Sequence, residues 1–354
     1  MYLTLLCSVV SFCIFSSFAL ADDLENRVDS LESRMAAVKN QTAQDTAGSK
    51  MATASPLIDG YGFFASADLL FWNLKEGGSD YALPYKENPR IPSGKAKHAH
   101  FNWNFGFRTG AGYHFEHDAW DWLLNFTWFH AHANNSAHRD HGSGLSPQKG
   151  VLLPFPVTKM HSHWHVHYYV LDLEVGRRYF VSKYLAIRPQ FGIESAWIPQ
   201  RRRYTLRDDD LFGQNIYGKN NFWGIGPRAG VEGAWYFGRH FSLISALSGC
   251  LQWGHFKDHL KETALSSGKK TRIVDVDGSF HRLAPNVQMR LGAGWDGDIN
   301  EGINHLGISL SYELQYWWRQ NQFLNEEQPI STSFQHEAMD LSLNGVTLNV
   351  RFDF

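Results

Sequence analysis

From residue 305 to 320 the chain reads HLGISLSYELQYWWRQ, in which Leu306, Ile308, Leu310, Tyr312, Leu314, Tyr316 and Trp318 alternate with Gly307, Ser309, Ser311, Glu313, Gln315, Trp317 and Arg319. A period of two puts the sets on opposite faces of a strand. The pattern recurs. Phe101, Trp103, Phe105, Phe107 and Tyr113 oppose Asn102, Asn104 and Arg108, and Ile187, Phe191, Ile193 and Trp197 oppose Arg188, Gln190 and Glu194. Trp223, Ile225, Val231, Trp235 and Phe237 oppose Arg228 and Glu232, and Leu283, Val287, Met289, Leu291 and Trp295 oppose Arg282, Asn286, Gln288 and Arg290.

Strands are predicted near 61–75, 96–114, 119–133, 161–180, 184–206, 219–237, 241–260, 278–296, 304–320 and 338–354. Connections after the even-numbered strands are short (FEHD, VSK, GRH, DGDINEG), and those after the others are long, such as 76–95, 134–160 and 321–337. Amphipathic strands with short turns at one end and long loops at the other describe an all-β fold, an antiparallel transmembrane up-and-down β-barrel of about ten strands, with about eight to twelve allowed. The apolar face meets lipid and the polar face a lumen. In a soluble sandwich the same Trp and Tyr would crowd one thin core, whereas in a barrel they belong in belts at the membrane interfaces. The last stretch, GVTLNVRFDF, alternates to a terminal Phe354. It reads as the signal recognised by outer-membrane assembly machinery; an edge strand that simply stops there is the alternative.

Composition supports this picture. Aromatics make up 15% of the chain, with 13 Trp, yet the mean hydropathy is negative. A barrel wall reconciles the two, because only alternate residues need be apolar. Beyond the N-terminus no apolar run approaches 20 residues, which excludes transmembrane helices. Lys plus Arg is 33 against Asp plus Glu 35, so charge does not call for nucleic acid. Residues 1–21 read as a signal peptide, with an apolar core and a small-x-small site at Ala19-Leu20-Ala21, although Lys and Arg are missing from the n-region. Cys250 is then the one mature cysteine, and no internal disulfide can form. In residues 22–50, Leu24, Val28, Leu31, Met35 and Val38 carry coiled-coil spacing, predicting a short periplasmic α-helix and a linker before the barrel at 51–354. A homotrimer would give that helix its partners.

Several blocks, among them GYGFFASADLLFWNLKEGGSDYA, VLDLEVGRRYFVSKYLAIRPQFGIESAWI, NNFWGIGPRAGVEGAWYFG and FSLISALSGCLQWGHFK, resemble the major-outer-membrane-protein-like family of Legionella and Chlamydia-like bacteria. The resemblance runs from about Tyr61 to Phe354. It implies an outer-membrane barrel with porin-like diffusion, and adhesion or surface-antigen roles in some members. Cysteine cross-linking, associated with some of these proteins, does not carry over to a chain with a single mature cysteine. The family offers no catalytic motif or cofactor.

The expected partners are the bilayer, lipopolysaccharide and the assembly machinery. The expected inner face carries Asp68, Arg108, Asp172, Glu174, Arg178, Arg188, Glu194, Arg228, Glu232, Arg282, Arg290, Glu313, Arg319, Arg351 and Asp353. These charges could set the ion preference of a channel. They could equally form a salt-bridge lattice filling a narrow barrel, since about eight strands leave room only for side chains. The corresponding functions are a porin for ions and small hydrophilic solutes, or a closed barrel acting as adhesin or envelope scaffold.

The 18 histidines cluster in KHAH, FHAHANNSAHRDH and HSHWHVH. His161, His163, His165 and His167 share one face, and His130 and His132 approach them from the preceding strand. Such a rim could bind zinc or copper, although alternate residues lie about 7 Å apart, and a polar loop surface is the alternative. An enzyme is not expected. Asp118 and Asp121 fall at the periplasmic end, and nothing orients Asp140 with His138 and His141 around an activated water.

Overall fold

The computed structural model describes residues 62–86, 93–115, 120–138, 144–148, 157–182, 184–208, 212–237, 240–266, 268–299, 304–326 and 334–354. The predicted signal peptide and helix lie outside them. Ten long strands follow in chain order: β1 Gly62–Glu76, β2 Trp103–His114, β3 Trp120–His138, β4 Lys159–Arg177, β5 Leu185–Asp208, β6 Phe212–Tyr236, β7 Phe241–Ser266, β8 Lys269–Ile299, β9 Asn304–Asn321 and β10 Met339–Asp353. Each pairs antiparallel with its sequence neighbours, and β10 pairs with β1, which closes the ring. A two-residue strand, Tyr179–Phe180, adds to the start of β5. The final amide, Phe354 N, donates to Phe63 O at 2.9 Å.

Backbone hydrogen bonds join the strand ends that flank short connections, as in Val181 N to Leu185 O at 2.9 Å and Phe237 N to Phe241 O at 3.1 Å. At the other end the strands outrun the expected boundaries. Residues 207–218 and 261–277 were expected between strands; instead β5 and β6 stay paired to Asp208↔Phe212, and β7 and β8 to Ser266↔Lys269. The 25 residues of β6 make roughly 80 Å of strand, against an apolar band of about 25 Å. Conversely 96–114 is not one strand. Lys97–His98 joins Asp80–Tyr85 and Gly144–Pro147 in a small sheet, and β2 starts at Trp103. Leu324–Glu326 pairs with Phe334–His336 in a second.

The extensions hold because the alternation changes phase. In β5, Phe191, Ile193 and Trp197 are exposed while Arg188, Gln190 and Glu194 are buried. Past Trp197 the buried face carries the apolar Ile198, Tyr204 and Leu206 together with Gln200 and Arg202, and Arg201, Arg203 and Arg207 are exposed. In β4, Met160, Trp164, Val166 and Tyr168 are buried on the outer stretch, and Asp172 and Glu174 on the inner one. The extended strands are thus built for lipid outside along one length and for water outside along the next.

Inside, a layer of Leu70, Trp72, Phe129, Trp164, Tyr168, Ile198, Phe222, Phe256, Ala284, Trp317 and Leu343 is at most 3% exposed. Every barrel strand but β2 contributes to the cluster, and Ala99 and Phe101, just ahead of β2, complete it. Trp72 and Phe129 lie 5.6 Å apart by ring centroids, Tyr168 and Trp317 5.9 Å, and Phe222 and Phe256 4.8 Å. Gly254 is required beneath this packing, since a Cβ there would overlap the Phe222 ring. Farther out a second core of Tyr81, Leu145, Met160, Tyr204, Ile216, Leu260 and Leu324 seats the small sheets on the barrel mouth. Arg202, buried at 1%, fixes one edge: its Nη1 meets Glu337 Oε2 at 3.0 Å, and its guanidinium lies 4.2 Å from the Phe323 ring centroid.

Candidate functional site

Below the apolar layer the inner wall is charged, and each buried arginine there ties together several strands of the wall. Arg108 of β2 meets Asp68 of β1 at 3.1 Å and Glu313 of β9 at 2.7 Å, and its Nε donates to Thr127 Oγ1 at 3.0 Å. Arg228 of β6 meets Glu194 of β5 at 2.5 Å and Glu174 of β4 at 2.8 Å, has Asp172 at 3.8 Å, and donates to Gln288 Oε1 of β8 at 2.8 Å. Gln252 Nε2 and Asn286 Nδ2 each donate to Glu194 Oε1 at 2.6 Å. Arg188 of β5 pairs with Asp121 of β3 and, at 3.3 Å, with Glu232, which Arg290 reaches at 3.5 Å. At the periplasmic end Arg351 meets Asp353 at 2.6 Å. The planar guanidinium suits these sites, because its fork satisfies two carboxylates at once.

The lattice and the apolar layer are joined by polar atoms that point downward. Trp72 Nε1 donates to Thr347 Oγ1 at 3.1 Å, and Thr347 Oγ1 donates to Glu313 Oε2 at 3.1 Å. Tyr168 OH donates to Gln315 Oε1 at 2.6 Å. Trp72 and Tyr168 therefore keep their rings in the layer while their polar atoms are satisfied from below.

On the periplasmic side a cavity of about 230 Å³ opens among Asp68, Arg178, Arg188, Glu232, Arg290 and Arg351. Between lattice and layer, beside Tyr168 and Trp317, only about 10 Å³ is left. Two expected inner-face residues lie outside the lattice, one of them, Arg282, still on the inner face in phase with Ala284 and Asn286. Arg282 is half-buried farther out, 3.3 Å from Gln322 Oε1. Arg319 is exposed, not inward, because the register of β9 shifts between Trp317 and Asn321; its φ is 53° and its amide donates to Asp340 Oδ1 at 2.7 Å. Alternation alone cannot foresee such a bulge. Sequence reasoning also passed over Asp121 as an acid at the wrong end for catalysis; its position on the inner face of β3 was readable from Trp120 and Trp122 on either side.

The histidine rim faces away from the lumen. Trp128, Tyr169, Trp197 and Trp223 are paired in one row across β3 to β6 on the lipid side, marking the outer aromatic belt. Beyond it lie the pairs His130↔His167 and His132↔His165. His130 and His167 stack with centroids 4.3 Å apart and planes 10° apart, and His163 Nε2 and His165 Nε2 are 2.6 Å apart. His161 stands farther out, edge-on to His138. Rings stacked face to face do not converge on an ion. Among the described residues no group of three or more His, Cys, Asp or Glu is disposed to hold a metal. Partial burial and neighbouring imidazoles push His130 and His165 below the usual range, and burial with Arg201 nearby does so for His167.

A closed ring of ten antiparallel strands with a lipid-type belt and a polar inner wall defines the class, an outer-membrane β-barrel. Residues 60–354 match the family described as Legionella pneumophila major outer membrane protein precursor; the chain belongs to that family, and its place is the outer membrane. Among solved structures it is similar to the outer membrane protease OmpT of Escherichia coli, at 9% identity over 83% of this chain and 97% of that one, with a TM-score of 0.42. It is also similar to a major outer membrane protein from Thermus thermophilus, at 14% identity over 83% and 99% with a TM-score of 0.29, and to the Yersinia pestis attachment invasion locus protein Ail, at 12% identity over 84% and 99% with a TM-score of 0.24. No curated protein matches the chain.

Two outcomes are expected from this geometry. Arg228→Leu leaves Glu174, Glu194 and Asp172 facing one another and should lower unfolding stability by about 3–5 kcal/mol. An unchanged urea midpoint for the variant in lipid vesicles would contradict the lattice. The depressed imidazoles favour the neutral form in the folded state, so their contribution is complete above about pH 6.5 and is lost as pH falls through the depressed folded values. Amide protection at 130–138 and 161–167, corrected for intrinsic exchange, should therefore be weaker at pH 5 than at pH 8, while residues 185–197 hold. Equal protection at both values would remove the rim's influence on strand pairing.

Proposed function

We propose that this protein is a closed outer-membrane barrel that serves as a structural element of the envelope, holding an extended β-scaffold above the membrane. The observation that carries this reading is the apolar layer, whose side chains from nearly the whole ring are at most 7% exposed at the level of the outer aromatic belt. A hydrated ion has no path among such groups without several kcal/mol of desolvation. The extended mouth supports the same reading, because its core is packed as in a soluble domain and its outer surface is polar. The charged lumen then acts as the lattice that ties the wall together, and selectivity has no part in it. A catalytic role is not part of this proposal, since Asp68, Asp121, Glu174, Glu194, Glu232 and Glu313 are each engaged by an arginine.

Porin-like diffusion is the second reading, favoured by the open, charged cavity of about 230 Å³ on the periplasmic side. Planar-bilayer recording separates the two. The refolded wild-type barrel should give no discrete conductance steps, whereas Phe222→Ala combined with Trp317→Ala, which removes two contacting rings with centroids 6.2 Å apart, should give them. Wild-type steps that scale with salt would establish the porin and end the closed-barrel reading.

A further inference from the structure

The outer surface of the strand extensions carries a one-sided charge that the closed-barrel reading does not use. Two residues beyond the aromatic row, the exposed or half-exposed positions include His130, His167 and Lys257. Four residues beyond it, directly paired residues run His132, His165, Arg201, Lys219 and His259 across β3 to β7. The next row continues with His163, Arg203, Tyr217 and Lys261. Among the described residues, no Asp or Glu lies in these rows from β3 to β7. The first acids are on β8, where Asp275 and Asp277 approach His259 at 3.8 and 2.9 Å and end the patch.

Two facts set this patch apart from ordinary surface charge. The buried arginines of the lumen described above have carboxylate partners, yet among the described residues Arg201, Arg203 and Lys219 make no ion pair. Its height is also fixed. At about 3.3 Å per residue and a tilt near 40°, the rows two, four and six residues beyond the belt stand roughly 5, 10 and 15 Å along the membrane normal. The headgroups occupy about 5–8 Å on each side of the hydrocarbon, so the first two rows bracket that depth and the row of Arg203 stands above it.

We infer that this face binds the phosphorylated headgroups of outer-leaflet lipid, lipopolysaccharide being the form this membrane supplies. The acyl chains lie against the aromatic row, and Arg201 and Lys219 meet the phosphates in charge-assisted pairs, with Arg203 adding its charge from the row above. The imidazole N–H groups on β3 and β4 supply further donors beside the arginines. Lipid binding on this outer face does not depend on whether the lumen conducts.

The test uses the full folded barrel in detergent, with a bisphosphorylated lipid A and its dephosphorylated counterpart as probes, and native mass spectrometry to count retained lipid. The wild type should retain the phosphorylated lipid about tenfold or more over the dephosphorylated one. The variant Arg201→Ser/Arg203→Ser/Lys219→Ser should lose that preference, while Lys75→Ser, exposed on β1 away from the patch, should keep it. Equal retention of the two lipids by wild type would overturn the inference without reference to any variant. An undiminished preference in the triple variant, with folding checked by the heat-dependent gel shift, would overturn it as well.

Discussion

Lipid offers no hydrogen bonds, so every backbone N–H and C=O crossing it must be satisfied within the protein, and a sheet can do this only by closing on itself. The pairing of β10 with β1 meets that demand. Closure leaves each side chain one of two destinations, and the medium outside decides which residues go where. Along the membrane stretch the outside is hydrocarbon, so Phe191, Ile193 and Trp197 face out and arginine, glutamine and glutamate are driven inward. Past the belt the outside is water and the assignment reverses. The charged lattice and the apolar layer are two answers to one constraint, stacked along the same strands.

Stacking them creates a boundary that has to be satisfied chemically. Charges at the top of the lattice would be stranded against hydrocarbon if the aromatics above offered nothing polar, and the Trp72 indole and Tyr168 hydroxyl would be orphaned if the lattice offered nothing in return. The chain Trp72, Thr347, Glu313, Arg108 resolves both, passing from ring to ion pair through two hydrogen bonds. Buried ion pairs add little net stability compared with apolar packing, but they are severe on misplacement, since one missing partner leaves a charge in a poor solvent. Lattice and layer together thus specify which strand sits beside which.

Much of this could be read from the sequence. Antiparallel strands, the closed ring, the short-turn end and the inner-wall identity of Arg108, Arg228, Glu194 and Glu313 follow from a period of two read against one apolar face. The reading failed where that single-face assumption ended. Residues 207–218 and 261–277 looked like loops because their outward positions are polar, although Ile216 and Val274 are buried there in the opposite phase. Trp317 sat visibly on the polar row of β9, and Phe222 beside Trp223, but one aromatic per strand on the wrong face is a weak signal until neighbouring strands bring them together. The direction of the histidines was legible from their spacing. Their stacking was not, because it depends on the register between β3 and β4. Arg319 was lost to a bulge that no periodicity announces.

A closed barrel requires a lumen sealed at the level of the outer belt and open below it. A single thiol placed in the periplasmic cavity tests this directly, using Ser309→Cys, a position that lines the cavity, in a Cys250→Ser background. A charged, membrane-impermeant methanethiosulfonate is applied to oriented proteoliposomes from one side at a time. The expected result is modification from the periplasmic side and protection from the external side, to the level of a thiol-free control. Modification at equal rates from both sides would mean that a continuous aqueous path crosses the apolar layer, and the closed barrel would be wrong.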